Sequence, residues 1–118
     1  MVSQHSSLSN EKWSQFTLDQ QILMISNEMN RARKHIESSN ADRLRNCYER
    51  VLNLTDLTIR TNSKPTLLRE LLRWRDLIAE LFVSTQSSMP EAEDHKRAFK
   101  VLLLFTPEAS KQRPYVVV

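Results

Sequence analysis

Glycine does not occur in this chain of 118 residues. All-β folds and phosphate-cradling loops rely on glycine at positive φ, so its absence counts against both. The glycine-flanked nucleophile elbow, the P-loop and the dinucleotide fingerprint are excluded with it. A lone cysteine, Cys47, cannot close an internal disulfide or build a cysteine metal cluster. No apolar run approaches the roughly 18 residues of a membrane span. The opening stretch "MVSQHSSLSNEKW" lacks the basic region and following apolar segment of a secretory leader. These absences lead us to expect a cytoplasmic protein with no membrane partner.

What is present is an ordinary globular composition. Hydrophobic residues make up 40% and charged residues 26% of the chain, enough apolar material for one core in a single domain spanning 1–118. The formal net charge is +3, with a pI near 9.3. This mildly basic balance permits contact with nucleic acid without requiring it.

The apolar residues recur at helical spacing. Residues 1–8 are polar and serine-rich, and a mobile start is expected there. Ser9 then caps a short helical turn through Gln15, with Trp13 and Phe16 as its apolar contacts. "TLDQ" reads as a capping box, with Thr17 as N-cap and Gln20 three residues on. Leu18, Ile22, Ile25, Met29, Ala32 and Ile36 follow at alternating spacings of four and three, one seam of a long helix. Asn40 is an N-cap for a second, whose seam is Leu44, Cys47, Val51, Leu54 and Thr58. Pro65 suits the first turn of a third, running to about residue 83. Pro90 opens a fourth, with Glu91, Glu93 and Asp94 at its positive end, and Pro107 stops it. Short connections force neighbouring long helices to run antiparallel. The expected fold is all-α: an up-down-up-down four-helix bundle over residues 17–105, with a short N-terminal helical turn and an extended C-terminal tail over 106–118.

Residues able to carry chemistry are few. His5, His35 and His95 form no HxxxH or ExxH pair, so two ligands do not share a helix face and no metal is expected. His95, in "EDHKR", reads as part of a solvated face, because adjacent residues fan out around a helix. Cys47 sits at a core spacing and reads as a small buried hydrophobe. No cofactor is expected and no catalytic residue is assigned. The arginines say more. "NRARKH" supplies Arg31, Arg33 and Lys34, and "DRLRNCYER" supplies Arg43, Arg45 and Arg50. Both clusters flank one connection, where arginines can hold phosphate or an acidic partner surface. Glu37, Asp42 and Glu49 are interspersed and lower the local potential.

One arginine sits apart. In "LLRELLRWRDLIAELF", at about 100° per residue, Leu67, Leu71, Trp74, Ile78, Leu81 and Phe82 share a side, and Arg75 falls between Leu71 and Leu68. A guanidinium there needs a carboxylate. Asp56 on the second long helix and Glu28 on the first are the candidate partners in a buried ion pair.

The run of compact helices and the "RARKH" element resemble the HEPN-like helical bundles of prokaryotes. That family includes toxin ribonucleases, which carry an arginine, four to six residues and then a histidine at a dimer interface. Arg31 and His35 enclose only three residues, so the resemblance implies a fold over about residues 17–105 and no ribonuclease activity.

Function is accordingly expected to be non-enzymatic: a protein-interaction module that self-associates as a homodimer, covering Leu23, Met24, Leu57 and the apolar tail. The alternative is an RNA- or phosphate-binding bundle of toxin–antitoxin type, acting through Arg31, Arg33, Arg43 and Arg45.

Overall fold

Local signals place most of the helix starts. In the structure, a computed structural model that describes residues 9–115, Ser9 Oγ accepts from Lys12 N at 3.1 Å and opens α1 (Asn10–Ser14). Thr17 and Gln20 form the reciprocal capping box of α2 (Leu18–Glu37), at 3.2 and 2.9 Å. Asn40 Oδ1 accepts from Arg43 N at 3.1 Å and starts α3 (Ala41–Thr61). Pro65 is the first residue of α4 (Pro65–Ser84), where its missing N–H costs nothing. α5 (Ala92–Leu102) follows Glu91, two residues later than Pro90. The expected mobile segment 1–8 and the final residues 116–118 lie outside the described residues.

The tail departs from expectation. Thr106 Oγ1 accepts from Ala109 N at 3.1 Å, and Pro107 opens a further helix, α6 (Pro107–Ser110), instead of only stopping α5. A 3-10 turn, Arg113–Tyr115, comes next. Residues 107–115 are therefore wound rather than extended. The reason is the threonine before the proline: it supplies the cap that a first-turn proline needs. Ala109 is buried by this turn, and α6 packs on α2.

Without glycine, the end of α2 needs another residue at positive φ. Ser39 takes it, at φ 55°. Asn40 N donates to His35 O at 2.9 Å and Ser39 N to Ile36 O at 3.1 Å, the paired bonds of a Schellman motif. This tight reversal brings α3 back along α2.

Among the described residues the chain is all-helical, with six α-helices, four of them long, and no strand. α2 packs on α3, α3 on α4, α4 on α5 and α5 on α2, so the four long helices form a closed ring of neighbours. The body is flattened, 37 × 36 × 20 Å. Seam residues Ile22, Ile25, Met29 and Ala32 of α2, with Leu44, Cys47 and Val51 of α3 and Leu71 and Ile78 of α4, are fully buried. Each of the larger aliphatic side chains contributes on the order of 1.5–3 kcal/mol by leaving water.

α1 is part of this core rather than an appendage. Trp13 is fully buried, and its indole N–H donates to Thr58 Oγ1 on α3 at 3.0 Å. Gln21, also buried, donates to Trp13 O at 2.9 Å and accepts from Asn62 Nδ2 at 3.0 Å. A buried amide is tolerated because both its ends are satisfied. Leu57, expected to be an uncovered side chain, is buried at 6% exposure on the helix against which α1 packs.

Candidate functional site

The arginine-rich connection is largely neutralised by its own carboxylates. Arg31 Nη1 lies 2.7 Å from Glu28, and Arg33 Nη1 lies 2.7 Å from Glu37 one helical turn on. Arg45 pairs with Asp42 and also donates to Thr85 O, at the end of α4, at 3.3 Å. Arg43 is exposed at the start of α3. Of the four, Arg31, Arg33 and Arg45 thus meet acids three or four residues away, as neighbours on one helix do.

Arg75 has found Asp56. Its Nε and Nη2 donate to the two carboxylate oxygens at 2.6 and 3.3 Å, tying α4 to α3 in a two-pronged pair. That hydrogen bond, with Asp56's charge behind it, raises the guanidinium above its ordinary range. The pair is not buried, however: the side chains are 34% and 31% exposed. Its site is the half-wet margin of the stripe, where the arginine stem packs and the head reaches water.

Glu28 is not a partner of Arg75. It is the buried carboxylate of α2, and it binds Arg50 Nε of α3 at 2.9 Å as well as Arg31. Arg50 Nη2 in turn donates to Cys47 Sγ at 3.3 Å. Burial pushes the Cys47 thiol up, with the guanidinium opposing, so the thiol stays protonated near neutral pH and unreactive. Among the described residues, the deepest ion pair therefore joins α2 to α3. Sequence periodicity does not reveal it, because Glu28 and Arg50 each sit one step off their seams.

A second polar contact lies deeper still. His95 is 1% exposed, a correction to its expected place on a solvated face. Its Nε2 is 2.9 Å from Met29 O of α2, and its Nδ1 is 2.8 Å from Tyr48 Oη of α3. A carbonyl only accepts, so Nε2 carries the proton; the neutral ring then offers Nδ1 as acceptor to the tyrosine hydroxyl. His95 thus pins α5 to α2 and α3 at once. Burial lowers its pKa, the Met29 bond opposes, and the charge of Arg33 lowers it further. Burial likewise pushes the Tyr48 phenol up, so both groups are neutral at physiological pH. Among the described residues, no three His, Cys, Asp or Glu side chains converge as metal ligands.

The remaining feature is apolar and open. Between α4 and α5 lies a groove of about 340 Å³, lined by Leu77, Leu81, Ala98 and Val101 with charged Glu80, Asp94 and Arg97. Of its lining, Leu77 and Val101 are exposed by 43% and 39%, and Leu72 and Val83 elsewhere on α4 and Leu104 just after α5 are exposed by 51–59%. These replace the surface expected at Leu23 and Met24, which are half-buried against the core, and at Leu57. α5 is only 11 residues long and leaves one side of the 20-residue α4 uncovered. No helix among the described residues is long and apolar enough to cross a membrane.

No family model matches this chain, and neither a curated protein nor a solved structure matches it.

Proposed function

We propose that this chain is a non-enzymatic protein-interaction module, a four-helix bundle with an N-terminal helical layer, that associates with itself. The bundle reading rests on the closed ring formed by α2, α3, α4 and α5, and it keeps the likeness to HEPN-like bundles at the level of fold. The interaction reading rests on one observation. Five large apolar side chains are exposed on α4 and on the stretch from α5 to the turn after it, while the buried Glu28 and His95 are consumed by contacts between helices. Apolar surface concentrated on one side of a small domain marks a contact site, and a symmetric dimer is the commonest way to cover it.

The RNA- or phosphate-binding alternative has less support, because Arg31, Arg33 and Arg45 are each met by a carboxylate. Sedimentation velocity at about ten to a hundred micromolar, a range that reveals dissociation constants of micromolar order, tests the self-association. We expect a dimer. A single monomeric species throughout overturns it.

A further inference from the structure

The outward face of α4 has an uncommon charge order. Its first half carries Arg69 and Arg73, and its second half carries Asp76 and Glu80, all exposed. The helix has no acidic residue in its first turn and no basic residue in its last. α2, α3 and α5 each have acids first and bases last, the order that suits the helix macrodipole. α4 therefore runs against its own dipole, with no compensating charge in its end turns. Arg73 pairs with Glu70 at 3.1 Å, and the two side chains are 70% and 49% exposed. A pair so open to water contributes little.

An antiparallel copy of the same helix supplies what is missing. α4 spans Pro65–Ser84, so its midpoint falls between Trp74 and Arg75. Lay a second α4 across it, fully overlapped and antiparallel, and residues equidistant from that midpoint come level. Arg69 then meets Glu80 of the other copy and Arg73 meets Asp76, while Leu72 faces Leu72 on one flank and Leu77 faces Leu77 on the other. A two-fold axis makes each ion pair twice. The basic half of each helix covers the acidic half of the other, and each acidic half lies beside the positive end of the neighbouring dipole. Exposed Leu72 and Val83 border the charged strip on one side and Leu77 on the other, so desolvating these leucines and the valine adds apolar burial to the ion pairs.

The geometry points to a second copy of this chain as the occupant of the α4 face, bound antiparallel about the Trp74–Arg75 midpoint and held in register by Arg69–Glu80 and Arg73–Asp76 pairs between copies. This assignment rests on the self-association proposed above and specifies its surface and register.

Charge reversal tests it on the intact chain. Arg69→Glu makes the strip largely acidic, and Glu80→Arg makes it largely basic. All positions concerned are exposed, and unchanged helical circular dichroism establishes that each variant is folded. We expect each variant alone to self-associate at least about tenfold more weakly than wild type, since like charges now face each other. Mixed in equal amounts, the two form a heterodimer. The glutamate introduced by Arg69→Glu then faces the arginine introduced by Glu80→Arg, the unaltered Glu80 of the first copy faces the unaltered Arg69 of the second, and sedimentation recovers the dimer. A wild-type dimer that neither reversal weakens overturns the α4 surface while leaving self-association standing. Variants that dissociate but fail to recombine overturn the register. A monomeric wild type removes both.

Discussion

The Tyr48 hydroxyl donates to His95 Nδ1 across 2.8 Å, in a place where neither ring touches water. Because Nε2 is committed to Met29 O at 2.9 Å, a second proton on the ring can enter only at Nδ1, against the tyrosine's own donated proton. Facing the ring are Tyr48 from α3, Met29 O and the charge of Arg33 from α2, and Phe99 from its own helix. No carboxylate is among them to welcome an imidazolium.

Stability is therefore expected to fall on acidification. The unfolded histidine binds its proton near pH 6.5, and the folded one, lowered by burial, does so only at more acid pH. Between those values the unfolded state holds more protons, so stability is fully present above about pH 6.5 and declines below it, by at most about 1.4 kcal/mol per pH unit. Urea midpoints at about pH 7.5 and about pH 5 measure the decline. His95→Gln, which cannot titrate, should be less stable at neutral pH and lose this component of the slope. An unchanged slope in that variant rejects the role.

The two interhelical ion pairs should differ in worth. Arg75 and Asp56 are each about one-third exposed, so Arg75→Ala is expected to cost only about 1 kcal/mol, and Arg75→Met less, since it keeps the packing of the stem. Glu28, with 8% of its side chain exposed, serves Arg50 and Arg31 together. Glu28→Ala removes a buried carboxylate that two guanidinium groups share and is expected to cost about 3 kcal/mol. Chemical denaturation of the two alanine variants ranks them, and the reverse order would contradict the burial.

Ser39 holds φ at 55° without glycine's freedom. Left-handed backbone costs a residue with a Cβ about 1–2 kcal/mol, partly offset by the greater unfolded entropy of glycine. Ser39→Gly should thus stabilise the protein by about 0.5–1 kcal/mol, visible as a raised thermal midpoint. A lowered midpoint would mean that Ser39 carries no strain in its left-handed conformation.

The helices themselves are legible in the sequence because their signals are local. Thr17 with Gln20, Asn40 and Pro65 act within one turn of where they stand, and a seam such as Ile22, Ile25, Met29 is written in the spacing alone. The tail misleads for a reason equally local. Pro107 carries the same chemistry whether it ends one helix or begins another, and only the capping Thr106 beside it separates the two cases. The partnership of Arg75 with Asp56 is legible too, because a stranded arginine on an apolar face requires an acid and few acids are within reach.

What periodicity could not show is which buried polar groups meet. Composition and spacing by themselves determined an all-helical chain, the faces its long helices bury, and a surface of mixed charge. Only the tertiary structure decided that His95 is interior, that Glu28 belongs to Arg50, that Trp13 closes the core over α3, and that the open apolar face lies on α4. The physical reason is that spacing reports a residue's direction from its own helix axis, whereas burial depends on whether another helix lies in that direction. α1 packs on α3, the helix on which Leu57 is buried, and the short α5 leaves part of α4 uncovered.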